Sequence, residues 1–93
     1  MSRERLHVMI EGRVQGVGFR YSVSRQAASL GLSGWVRNLY DGRVEAEFEG
    51  SHEALDAILA WCWKGTTFAD VSTVDAEWRP SNSVPMHGFF IRD

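Results

Sequence analysis

The run Gly12-Arg13-Val14-Gln15-Gly16-Val17-Gly18-Phe19-Arg20 holds the residues of this chain whose types and spacing could do chemistry. Three glycines in seven positions let the backbone curl tightly, because a residue without Cβ reaches positive φ at little steric cost. The apolar run Leu6 to Ile10 precedes this segment and a helix-like pattern follows it, which makes it a strand-loop-helix junction. At such a junction successive backbone N–H groups and a helix N-terminus converge on one spot and favour an anion. Arg20 stands at that spot with a rigid, permanently charged fork that suits phosphate oxygens. The expectation is an oxyanion cradle sized for one phosphoryl group. Its wall is the main chain of Gln15, Gly16, Val17, Gly18 and Phe19, and Arg20 closes it. No His or carboxylate falls in the loop, so the chemistry on offer is charge stabilisation and positioning rather than general acid catalysis.

The bulk properties narrow the function classes. The chain has 93 residues, 44% of them hydrophobic and 12% aromatic, enough for one domain with a core of its own over residues 1–93. A net charge of −2 and a pI near 5.9 argue against a nucleic-acid binder, which normally carries a basic face. Local positive charge must therefore do any anion binding. Cys62 is the single cysteine, which rules out an intrachain disulfide and a cysteine-based zinc site. His7, His52 and His87 show no ligand spacing, so no metal site is expected. No apolar signal region opens the sequence and no apolar run approaches membrane-spanning length. The expectation is a cytoplasmic monomer without nucleic-acid or membrane partners.

The elements that must position the loop follow from periodicity and turn chemistry. Residues 6–11 alternate as a strand, and Val23, Ala27 and Leu30 recur at helical spacing from about Tyr21 to Leu30. Gly31 supplies a left-handed cap, with Leu32 as its hydrophobic partner. Gly34 to Leu39 and Arg43 to Glu49 form two further strands around the hairpin signal Asp41-Gly42. Ser51 is the expected N-cap of a second helix, whose apolar stripe is Leu55, Ile58, Leu59 and Cys62, ending at Lys64-Gly65. Val71 to Trp78 reads as a fourth strand and His87 to Arg92 as a short fifth. Trp61, Trp63 and Trp78 are expected to cap the core edge.

The hairpin register can be argued from charge. A two-residue turn would set Arg37 opposite Ala46 on the core face. A three-residue loop, Tyr40-Asp41-Gly42 with Gly42 in a bulge, instead puts Val36 on the core face and Arg37 beside Glu45, burying no charge. Glu45, Glu47 and Glu49 then fall on the opposite, solvated face. The element order β-α-β-β-α-β plus a small extra strand is the ferredoxin-like split arrangement, an α+β sandwich with an antiparallel sheet and two helices on one face. In it the first and second strands run the same way, separated by the third. The glycine loop leaves the end of the first strand, and Asn38 ends the second. Two strand spacings put them roughly 10 Å apart, a gap one phosphate plus one water could bridge.

With those residues in place, the chain resembles the acylphosphatase family. The resemblance lies in Val14-Gln15-Gly16-Val17-Gly18-Phe19-Arg20, Leu30-Gly31-Leu32, Gly34-Trp35-Val36-Arg37-Asn38, Asp41-Gly42-Arg43-Val44-Glu45-Ala46, Glu49-Gly50 and Phe90-Ile91-Arg92, and so spans nearly the whole sequence. One departure is Thr66-Thr67 after Gly65, where the family often has proline. The resemblance implies hydrolysis of the carboxyl-phosphate anhydride of small acyl phosphates, with no cofactor and no metal. It implies Arg20 as the phosphate-binding catalytic residue and Asn38 as the residue that orients the attacking water, with inorganic phosphate as product. An RNA-binding module on the same fold would need exposed aromatics on the central strands and a basic surface, and neither pattern is present.

Overall fold

The computed structural model describes residues 3–81 and 84–93. The elements are β1 (Glu4–Arg13), α1 (Phe19–Ser29), β2 (Ser33–Asn38), β3 (Val44–Gly50), α2 (His52–Lys64), β4 (Asp70–Pro80) and β5 (Phe89–Arg92). They form one five-stranded sheet in the order β4-β1-β3-β2-β5. The ferredoxin-like arrangement expected from the sequence is present, with β1 and β2 parallel in direction on either side of the antiparallel β3.

One difference concerns β5. It adds to the outer edge of β2 in parallel, Val36 beside Ile91, so the sheet is mixed rather than wholly antiparallel. The reason is where β4 ends. Pro80 lies beside Glu4 at the start of β1. A strand leaving that end of the sheet for its far edge must run as β1 and β2 run. Gly88, with φ of 74°, turns the chain into β5.

The alternation along each strand decides which face the helices cover. Leu6, Val8 and Ile10 of β1, Val36 of β2, and Val44, Ala46 and Phe48 of β3 are fully buried on that face. Against them pack Phe19, Val23 and Ala27 of α1 and Leu55, Ile58 and Cys62 of α2. Burial pushes the Cys62 thiol up to about 12, so it serves as a small core hydrophobe. The caps are as expected. Leu32 N–H donates to the Ala27 carbonyl at 2.9 Å and Gly31 N–H to Ala28 at 3.1 Å, the paired bonds of a Schellman motif. The Ser51 hydroxyl accepts from Ala54 N–H at the start of α2. Among the described residues no helix is long and apolar enough to cross a membrane.

The hairpin has the three-residue loop. Leu39 N–H donates to the Arg43 carbonyl at 2.8 Å, Val36 pairs with Ala46, and Arg37 lies beside Glu45. Arg37 holds Glu45 through both Nε at 2.7 Å and Nη2 at 2.6 Å, while His7 Nε2 lies 2.7 Å from the other oxygen. Burial raises the Glu45 pKa, but the hydrogen bonds of His7 and Arg37 outweigh it and the group ends below the usual carboxylate range.

The helix-free face corrects the expectation of a solvated acidic row. Glu49 is fully buried. Its carboxylate accepts from Ser81 Oγ at 2.6 Å, Arg5 Nε at 2.8 Å, Met86 N–H at 2.9 Å and Arg3 Nη2 at 3.4 Å. Glu49 thus anchors the segment that carries the chain from β4 to β5 across the sheet. Two of the tryptophans also differ from expectation. Trp61 packs on the core through the Phe19 ring at 5.6 Å. Trp63 is half-exposed, and Trp78 stacks on His52 at 4.7 Å.

A pH-dependent stability follows from Glu49. Burial raises its pKa, but the bonds from Ser81, Arg5 and Met86 more than offset that and hold it at about 2, against an ordinary 4.5. A folded-state pKa below the unfolded one stabilises above the unfolded value, and that stabilisation fades as pH falls toward the folded one. Glu49→Gln is expected to cost about 1.5–3 kcal/mol at neutral pH, the scale of hydrogen bonds to a charged group. In urea unfolding, its gap from wild type should shrink as pH drops from 4.5 toward about 2. A gap independent of pH would show that the charge of Glu49 does not stabilise the crossing.

Candidate active site

The sequence Gly16-Val17-Gly18 builds a tight bend between β1 and α1. Gly16 has φ of 75° and Gly18 has φ of 73° with ψ of 19°, a left-handed conformation that a side chain would strain. Both Cα positions look into open space, with nothing within 4 Å of where a Cβ would stand. Main-chain conformation is what requires glycine there, not packing.

Gly18 is the N-cap residue of α1, and no side chain caps this helix. Ser22 N–H makes the first intrahelical bond, to the Gly18 carbonyl at 3.1 Å. Among the described residues the amide N–H groups from Gln15 through Tyr21 donate to no carbonyl or side-chain acceptor. Four orphan donors at a helix start are normal, but here the preceding turn adds more of them. The first turn also carries no acidic residue. The helix start is therefore an unneutralised positive end. In α2, by contrast, Ser51 and Glu53 fill the same positions.

A hollow of about 180 Å³ opens over this turn, lined by Val14, Gly16, Gly18, Phe19, Arg20, Tyr21, Asn38 and Ile91. Val14 and Phe19 are buried and form its floor. The structure thus brings together Arg20 and Asn38 with Gly16, Gly18 and Phe19. Gln15 and Val17 are not on the hollow's surface. Val17 packs against the core. The Gln15 side chain turns the other way, where its Nε2 donates to the Leu39 carbonyl at 2.7 Å and to the Arg43 carbonyl at 2.9 Å. Gln15 therefore ties the glycine turn to the mouth of the β2-β3 hairpin, one residue beyond Asn38.

Asn38 shares the helix-covered side with Val36, as the three-residue hairpin loop requires. Its Oδ1 is buried and accepts no hydrogen bond from any described group. Buried polar atoms are nearly always paired, so an unpaired one on a hollow marks a place where a ligand or solvent molecule completes the bonding. Arg20, in the first turn of α1, is half-buried, and its Nη1 donates to the Arg92 carbonyl at 3.3 Å.

Sequence reasoning missed four contributors: Tyr21 and Ile91 in the wall, the Arg92 carbonyl that steadies Arg20, and the clamp made by the Gln15 amide. Ile91 and the Arg92 carbonyl depend on where β5 docks, and the clamp depends on where the β2-β3 hairpin meets the glycine turn.

Comparison with known proteins agrees with the geometry. The family model described as Acylphosphatase matches residues 6–91. An acylphosphatase of Pelotomaculum thermopropionicum is 49% identical over 79 residues, covering 85% of this chain and 86% of that one. An acylphosphatase of Roseiflexus sp. is 53% identical over 78 residues, 84% of each chain. The crystal structure of acylphosphatase from Bacillus subtilis superposes with a TM-score of 0.92 at 37% identity, covering 97% of this chain and 99% of that chain. The chain belongs to the acylphosphatase family, and its reaction is the hydrolysis of an acyl phosphate.

Proposed function

We propose that this hollow hydrolyses small acyl phosphates to a carboxylate and inorganic phosphate without a metal ion, with Arg20 and the main chain of residues 15–19 holding the phosphoryl group and Asn38 orienting the attacking water. The observation that carries the assignment is the unpaired, buried Asn38 Oδ1 on the same hollow as Arg20 and the Gly16-Val17-Gly18 turn. An amide can accept from a water through Oδ1 while donating through its NH₂, which fixes a water's orientation. The lining has no carboxylate, imidazole or thiol, and so none of the side chains that usually hold a metal or act as a base.

An acyl phosphate suits such a site. Its leaving group is a carboxylate, which departs with the P–O bonding pair and needs no proton. Water forms the new P–O bond, and its proton passes to a non-bridging phosphoryl oxygen, an acceptor already inside a hollow whose own lining carries no carboxylate or imidazole. The protein's part is then positioning and neutralisation of phosphoryl charge, the main demands of phosphoryl transfer.

The test is release of phosphate from benzoyl phosphate with excess chelator present. Turnover is expected to be unchanged by the chelator and inhibited competitively by inorganic phosphate. Loss of turnover that magnesium restores would overturn the metal-free reading.

A further inference from the structure

The catalytic reading leaves two residues of the hollow unused. Val14 and Phe19 are floor, Gly16 and Gly18 are cradle, and Arg20 and Asn38 are polar groups with assigned work. Tyr21 and Ile91 remain. They are large and largely apolar, yet 61% and 45% exposed on the wall of a catalytic hollow. Exposed apolar groups on a rim of a site point to contact with something apolar.

A small acyl phosphate has two parts, and the polar groups of the hollow are engaged by the phosphoryl part. The part left for an apolar contact is the acyl substituent. A second hollow of about 430 Å³ adjoins Asn38 itself, lined by Gln15, Arg37, Asn38, Leu39, Tyr40 and Asp93. Its walls carry charged and amide groups, which makes it a poor seat for an apolar acyl group.

We propose that Tyr21 and Ile91 form the contact surface for the acyl substituent and bias this enzyme toward flat or branched apolar acyl groups over acetyl. The proposal rests on the catalytic reading of Arg20 and Asn38. Both side chains are well braced for the role. Tyr21 lies in the first turn of α1, with the Arg25 guanidinium over its ring at 5.9 Å. Ile91 is pinned by the pairing of β5 with β2, beside Val36. The next residue, Arg92, is the one whose carbonyl holds Arg20. One short strand thus places the apolar contact and steadies the phosphate-binding guanidinium together.

The experiment compares kcat/KM for benzoyl phosphate and acetyl phosphate in wild type, Tyr21→Ala, Ile91→Ala, Tyr21→Phe and Tyr40→Ala. Removing an apolar contact costs on the order of 10-fold in discrimination. Tyr21→Ala and Ile91→Ala should each lose about that much on benzoyl phosphate while acetyl phosphate and phosphate inhibition stay nearly unchanged. Tyr21→Phe should keep the wild-type ratio, since the ring and not the hydroxyl makes the contact. Tyr40→Ala, on the Asn38-side hollow, should leave the ratio alone. An unchanged ratio in both alanine variants, or a shifted one in Tyr40→Ala, would overturn the proposal while leaving the catalytic reading standing. Wild-type protein that turns over neither substrate would overturn the catalytic reading and this proposal with it.

Discussion

Arg20→Lys is expected to weaken inhibition by inorganic phosphate and to lower kcat/KM for an acyl phosphate by about 10²–10³, the scale for losing one preorganised donor at a reacting oxyanion. Lysine keeps the charge and differs in geometry. The guanidinium offers five N–H donors in a fixed plane, of which one is committed to the Arg92 carbonyl at 3.3 Å. That anchor fixes the fork's orientation and leaves donors for two phosphoryl oxygens at once. An ammonium on a flexible stem can satisfy the carbonyl or the substrate, but does not present a paired face. Because Arg20 is half-buried at the start of α1 and outside the core, thermal stability should change little. Wild-type phosphate inhibition in Arg20→Lys would mean that the main-chain cradle binds alone and that Arg20 has another task.

Asn38→Ala is expected to separate rate from binding. On the proposed role of Asn38 in holding the nucleophile, kcat should fall by about 10²–10³ while phosphate inhibition stays within a few-fold of wild type. If Asn38→Ala loses phosphate affinity as steeply as it loses rate, the amide is a phosphate ligand and not a holder of water.

Sequence legibility tracks the range of the interaction. The strand-loop-helix junction could be read directly, because glycine spacing, a preceding apolar run and a following helical stripe are all local. Helical spacing starts α1 at about Tyr21, two residues after its true start at Phe19, because Phe19 reads as loop in the sequence although its ring is core, packed on Trp61. The hairpin register was also legible. Only one loop length keeps Arg37 off the core face, and the pairing of Arg37 with Glu45 follows from it. Glu49 misled for the opposite reason. Its alternation with Phe48 is that of a wet face, and its burial comes with bonds from residues distant in the chain, among them Ser81 and Met86.

By itself, then, the amino-acid order determined the glycine turn, the alternation of the strands, the two helices and the end of the strand on which Asn38 sits. These rest on backbone preferences and apolar periodicity within a dozen residues, which a short window contains in full. Tertiary structure decided the parallel docking of β5, the burial of Glu49, the Gln15 clamp and the wall of Tyr21 and Ile91. Each joins segments between 24 and 70 residues apart. Such contacts form only when the sheet order brings strand ends together, and no local pattern encodes that meeting.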